Sequence, residues 1–291
     1  MKAAVRKRWA VVLYILIGLA ALIAAAIAYG MHRWNRETDE LRARLESTRV
    51  HPGPGRFYVS ELEGLPAPVQ RYFRAALTDG QRMIAAVSIQ HAGTFNMSET
   101  DEDWKPFTSN QRVITRRPGF DWEARIAMAP GLDALVHDSY IGGEGILHAS
   151  LFGLFSIVNM RGTPEVAQGE LMRFLAESAW YPTALLPGQG ARWEAVDDSS
   201  ARVTIEDGGL SLTMLFRFGT DGLITSALAE DRMRTVGNVV VPTEWEGRWS
   251  SYERRDGMLV PIVGEVAWVL PEGRKPYWRG SITGIRHEFA E

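Results

Sequence analysis

Three groups of residues in this chain have the types and spacing for chemistry. His137-Asp138-Ser139 puts the base, acid and nucleophile types of a hydrolase triad side by side. Neighbours on a strand point to alternate faces, however, so these three cannot form a triad by themselves. Glu170, Arg173 and Glu177 stand at i, i+3 and i+7, which on a helix places all three on one face. That spacing predicts a structural ion pair tying the helix to its surroundings, and Arg173 is the group with which a ligand carboxylate or phosphate would pair. The third group is aromatic. Trp180 and Tyr181 open an uncharged stretch that runs to Leu186 and Pro187, and Trp245 and Trp249, at i and i+4 on a strand, share one side.

Most catalytic chemistry finds no support in the pattern. The chain has no G-x-S-x-G, no H-E-x-x-H, no phosphate-binding G-x-x-x-x-G-K-[ST] and no calcium-loop spacing. Its six histidines are scattered, so no metal site or cofactor is predicted. With no cysteine there is no disulfide framework, thiolate site or cysteine nucleophile. The net charge is −3 even with Lys2, Arg6, Lys7 and Arg8 at the N-terminus, so the remainder is acidic and a nucleic-acid partner is not expected.

The elements that position these groups begin with an anchor. From Trp9 to Met31 no residue carries a formal charge. As a helix this run reaches roughly 35 Å, enough for a hydrocarbon core of about 30 Å. We read residues 1–31 as a transmembrane anchor that makes the membrane a partner through residues 9–31. Cleavage as a signal peptide at Ala26-Ile27-Ala28 is the alternative. The basic residues before Trp9 favour a cytoplasmic N-terminus and an exported domain, although Arg33, Arg36, Arg42 and Arg44 nearly balance them. Residues 32–55 read as a polar, exposed helical stalk broken by the HPGPGR linker.

Residues 56–291 form the predicted domain, mainly β with a few helices (α+β). A short helix, Leu65 to Leu77, precedes alternating strands in which Phe120, Trp122, Ala124 and Ile126 face a core while Asp121, Glu123 and Arg125 face water. A helical insert is expected over 146–178. Its first part carries Leu147, Leu151, Leu154 and Val158 at helical spacing with Phe152 and Phe155 outside that stripe, and its second is capped by Thr163 and Pro164. Beyond Trp193, turn signals such as Asp207-Gly208-Gly209, Thr220-Asp221-Gly222 and Gly237-Asn238 mark a long antiparallel meander. In-strand glycines, among them Gly264 and Gly280, would let it curve into a half-barrel clasping the helices. The strand faces carrying Glu230, Arg232 and Arg234, and Glu244, Glu246 and Arg248, read as solvated.

LPAPVQRYF, PGFDWEAR at 118–125, ELMRFLAESAWYPTALLP and VAWVLPEGRKPYWRG resemble a bacterial domain-of-unknown-function family of membrane-anchored proteins. The likeness spans nearly the whole exported portion, and the WYPTALLP block is its most specific part. The strand pattern is also similar, more distantly, to the lipoprotein-carrier (LolA/LolB-like) superfamily. That likeness implies a curved sheet around an apolar cavity covered by helices.

Together these readings predict a single-pass protein of the bacterial inner membrane with its C-terminal domain on the extracytoplasmic side. Its predicted role is to bind an apolar or lipid-like ligand through Phe152, Phe155, Trp180, Tyr181, Trp245, Trp249 and Arg173. An envelope scaffold with a filled core, binding a protein partner, is the alternative, and a lipid or glycan hydrolase is third. An enzyme is the less favoured class.

Overall fold

The structure, a computed structural model, describes residues 2–290 apart from 51, 52, 54, 99 and 238, with backbone only for residues 2–7. His51, Pro52 and Pro54 of the predicted linker and Asn238 of a predicted turn therefore lie outside the described residues.

One helix, α1 (Lys2–Ser47), carries both the uncharged run and the predicted stalk. From Arg8 onward it is long and apolar enough to cross a membrane, and its side chains are exposed along the apolar stretch. The second half is not an exposed stalk. Trp34, Thr38, Leu41 and Leu45 recur at helical spacing and are buried against the sheet described below. Read from Asn35 onward the segment looks polar all round; Trp34, one residue earlier, completes the apolar stripe. Glu40 pairs with Arg36 at 3.2 Å, and Arg44 pairs with Glu144.

After α2 (Ala67–Ala76), the chain forms six strands: β1 (Ile84–Asn96), β2 (Trp104–Ile114), β3 (Gly119–Ala129), β4 (Leu132–Ile141), β5 (Glu144–Leu151) and β6 (Phe155–Arg161). Helix α3 (Pro164–Ala176) follows, then short 3₁₀ turns over Glu177–Trp180, Pro182–Leu185 and Pro187–Gln189. Seven more strands complete the chain: β7 (Arg192–Asp197), β8 (Ser200–Asp207), β9 (Leu210–Phe218), β10 (Ile224–Val236), β11 (Val239–Arg255), β12 (Met258–Leu270) and β13 (Gly273–Phe289).

All thirteen strands form one antiparallel sheet, ordered β6-β5-β4-β3-β2-β1-β13-β12-β11-β10-β9-β8-β7. Two meanders are thus joined by pairing of the first strand with the last, with Ile89 opposite Ile285. The sheet curls strongly. Tyr140 near the β4–β5 turn donates to Asp207 Oδ2 near the β8–β9 turn at 3.0 Å, although the strand order puts those turns towards opposite edges.

The inner face packs on α2, α3 and the 3₁₀ turns. Val69, Tyr72, Phe73 and Ala76 of α2, and Leu171, Met172, Phe174 and Leu175 of α3, enter one core with Phe120, Trp122, Ala124 and Ile126 of β3. Val166 N donates to the Thr163 hydroxyl at 3.4 Å, the cap that the sequence pattern predicts for α3. Gly264 and Gly280 serve packing rather than bending alone, since a Cβ there would lie 2.6 Å and 2.4 Å from the Trp249 and Trp278 rings.

Two expectations fail here. Residues 146–161 are not helical but form the β5–β6 hairpin, turning at Phe152 and Gly153 with φ of 55° and 65°. An apolar run this short has no decisive period, and strand pairing of Leu147 with Met160 and of His148 with Asn159 decides its form. Nor does Asp121 face water. It is fully buried because α1 covers the outer face of β2–β5, where Arg42 Nε donates to it at 3.2 Å.

Candidate functional site

The strand and helix periodicities bring a charged, aromatic centre together under α3. Alternation along β4 turns Asp138 inward and His137 and Ser139 outward, which separates the tempting triplet. Arg173, on the face of α3 that meets the sheet, donates through Nη1 to Asp138 Oδ2 and through Nε to Glu177 Oε1 at 2.7 Å. Gln111 Nε2 donates to the other Glu177 oxygen at 2.6 Å. The guanidinium lies 5.0 Å from the Phe120 ring centroid and 4.8 Å from that of Trp122, within cation–π range.

Glu170 does not join the Arg173–Glu177 pair. It accepts from Arg232 Nη2 at 3.2 Å, and that guanidinium sits 4.6 Å from the Trp245 ring, whose Nε1 donates to Tyr277 Oη at 2.8 Å. The placement of Arg232 corrects the reading of a solvated strand face. A register shift between Ala229 and Arg232 in the β10–β11 pairing breaks the alternation, so Glu230 stays exposed while Arg232 is drawn inward. Nothing in the local sequence marks that bulge. Glu246, also expected in solvent, is buried among Arg217, Arg248 and Arg274.

Aromatic side chains enclose the charges. Trp180 lies 4.9 Å from Trp249 at 67° and 4.9 Å from His91, while Trp278 stands edge-on to His91 at 6.0 Å. Tyr181, fully buried, donates to Phe174 O at 2.6 Å. The uncharged stretch from Trp180 to Leu186 thus fills the interior. Phe152 and Phe155 are not part of this centre: they belong to the β5–β6 hairpin, where Phe155 is 66% exposed.

Burial, reinforced by the Asp138 carboxylate, pushes Glu170 well above the usual carboxylate range. Burial opposes the charge on Arg173, but Glu177, Asp138 and Glu170 outweigh it and raise its pKa. His91 is pushed down to about 3, by burial first and Arg173 second, so the ring is neutral at ordinary pH. Its Nδ1 lies 3.2 Å from Ser109 Oγ.

Several buried polar atoms of this centre have no hydrogen-bond partner in the protein: Arg232 Nη1, the indole nitrogens of Trp122, Trp180 and Trp249, Gln111 Oε1, Asp138 Oδ1, Glu170 Oε2 and His91 Nε2. Folded proteins satisfy the large majority of such groups, so a concentration of open ones is unusual. The set is mixed: the Arg232 and indole N–H groups can donate to acceptor oxygens, while the Gln111, Asp138 and Glu170 oxygens call for a donor. A cleft of about 590 Å³ lies elsewhere, between the end of α1 and the outer face, and is lined by residues including Arg42, Glu46, Asn110 and Arg112. Among the described residues, no group of His, Asp and Glu is arranged to hold a metal ion.

Residues 63–287 match the sequence profile of a family of unknown function, DUF6920. A search of curated proteins found no match. Among solved structures, the fold is similar to a LolA superfamily protein from Nitrosomonas europaea, at 11% identity and a TM-score of 0.39, covering 77% of this chain and 94% of that one. It is also similar to a domain from Vibrio parahaemolyticus described as outer membrane lipoprotein-sorting, at 9% identity and a TM-score of 0.35, covering 70% and 86%. At these scores neither likeness bears on function.

Proposed function

The chain belongs to the DUF6920 family, whose function is unknown, and we propose that it is a membrane-tethered binding domain for an amphipathic, lipid-like molecule. The observation that carries this reading is the set of open donors on Arg232, Trp122, Trp180 and Trp249, beside the open Asp138 and Glu170 oxygens, in an interior rich in aromatic side chains. An acceptor-rich headgroup, such as a carboxylate, ester or phosphate, satisfies the donors, and its chain packs on the indoles. Arg173 is already held by Asp138 and Glu177, so Arg232 is the better partner for the headgroup. Helix α1 supplies the tether through residues 9–31. The basic residues before Trp9 favour placing the domain on the extracytoplasmic side of a bacterial inner membrane.

A second reading, an envelope scaffold, draws on the near-complete burial of Trp180, Tyr181, Leu185 and Leu186, which fill the interior as a plug. Native mass spectrometry of the detergent-extracted full-length protein separates the two. A co-purifying lipid that is lost in Arg232→Met and in Trp245→Ala, both still folded, supports binding. A bare wild-type protein that also fails to bind a fluorescent fatty acid saturably favours the scaffold.

A further inference from the structure

The apolar run of α1 ends where the β5–β6 hairpin begins. Gly30 is packed so closely on the turn that a Cβ there would lie 2.2 Å from Phe152 O and 2.6 Å from Leu154 Cγ. In return a Cβ on Gly153 would lie 2.3 Å from Gly30 O, and Arg33 Nη2 donates to Gly153 O. Two residues without side chains therefore let helix and hairpin meet backbone to backbone, at the level where the uncharged run gives way to His32 and Arg33.

From that turn β6 runs outward as the edge strand of the sheet, and it begins apolar and exposed. Phe155 is 66% and Ile157 56% solvent-accessible, and neither is covered by another part of the described chain. The strand then becomes polar at Asn159 and Arg161. Helix α1 changes in the same direction: Glu37, about 10 Å beyond Gly30 along the helix, binds both Arg161 and His148. Helix and strand thus pass from apolar to charged side by side, as two elements leaving one bilayer would. At the same end of the sheet the β10–β11 turn exposes Val236, Val239 and Val240. An exposed apolar edge strand is a liability in water, and natural proteins cover such edges.

We propose that the β5–β6 hairpin is a second membrane contact, with Phe155 and Ile157 seated in the bilayer interface beside α1. The domain is then fixed in orientation, with this end of the curled sheet against the lipid, rather than swinging on a tether. The inference rests on the reading of α1 as a membrane span.

The test uses the full-length chain in lipid nanodiscs. Because the protein has no cysteine, a nitroxide can be attached singly through Phe155→Cys, Ile157→Cys, Leu16→Cys in the span and Glu253→Cys at the opposite end of the sheet. The measurement is the accessibility of each label to oxygen relative to a water-soluble nickel chelate, with melting curves showing that each variant is folded. Labels at Phe155 and Ile157 are expected to favour oxygen, as at Leu16, and the label at Glu253 to favour the chelate. Lipid-like accessibility at Leu16 with water-like accessibility at both hairpin positions would overturn the hairpin contact and leave the anchor standing. Water-like accessibility at Leu16 as well would remove the anchor reading and this inference with it.

Discussion

Trp34 of the long helix stacks on His137 of the sheet, with ring centroids 4.3 Å apart and 19° between the planes. Thr38 Oγ1, one turn further along α1, lies 3.1 Å from His137 Nε2, and Ser139 Oγ donates to Asp121 Oδ1 at 2.9 Å beneath the same helix. His137 and Ser139 of the catalytic-looking triplet, with Asp121 in place of Asp138, thus form a mounting for α1, roofed by a tryptophan.

Replacing Trp34 by alanine should therefore loosen α1 from the domain. Loss of a buried tryptophan costs about 3–5 kcal/mol in a well-packed site. The expected result is a clear fall in melting temperature of the detergent-solubilised protein, and removal of residues 1–50 should be at least as damaging. An unchanged melting temperature in Trp34→Ala would mean that the docked half of α1 contributes nothing to the fold.

Arg173→Ala leaves Asp138 and Glu177 buried without their cation. Breaking a buried pair in this way costs about 3–5 kcal/mol. Glu177→Gln should cost less, because the amide oxygen still accepts from Arg173. The order of stability by thermal or denaturant unfolding should therefore be wild type, then Glu177→Gln, then Arg173→Ala; the reverse order of the two variants would contradict the pairing.

The pH dependence has a sign that His91 sets. Its folded pKa lies below the unfolded value of 6.5, at about 3, because burial and then Arg173 disfavour the imidazolium. The unfolded chain takes up the proton first, so this contribution to stability is complete above pH 6.5 and is lost as the pH falls towards 3. Melting temperatures of wild type and His91→Leu should converge over that window, with the variant showing the flatter acid limb. Parallel curves would place His91 in a solvated setting.

Glu170 has the opposite sign. Its folded pKa is raised by burial and by Asp138, so its contribution is full below the unfolded value of 4.5 and declines as the pH rises through the folded one. Glu170→Gln keeps an uncharged group of the same shape and should gain on wild type as the pH rises. If wild type instead gains on the variant at alkaline pH, Glu170 is ionised in the folded protein.

Gly30→Leu tests the contact between helix and hairpin without touching the interior. The new side chain would overlap Phe152 O and Leu154, so the hairpin must move off α1. Amide hydrogen exchange should quicken in β5 and β6 and stay slow in β8 and β9. Uniform protection across all four strands would show that the contact does not hold the hairpin.

Much of this architecture is legible in the residues one by one. Alternation in β3, the turns at Asp207-Gly208-Gly209 and Thr220-Asp221-Gly222, and the Thr163-Pro164 start of α3 are local signals, each complete within a few residues. So is the length of the uncharged run, and the i,i+4 spacing of Arg173 and Glu177 already implies their 2.7 Å bond. What only the tertiary structure decided are matters of partnership. Residues 146–161 have leucines at helical spacing, yet they pair as strands because β4 offers an open edge and Gly30 receives the turn. Arg232 faces inward because its strand slips register against β11, and Asp121 is buried because a helix distant in sequence lies over it. Periodicity records which side of an element a residue occupies relative to its neighbours. Which side is covered, and by what, depends on contacts between segments far apart in the chain, and no short window of sequence contains them.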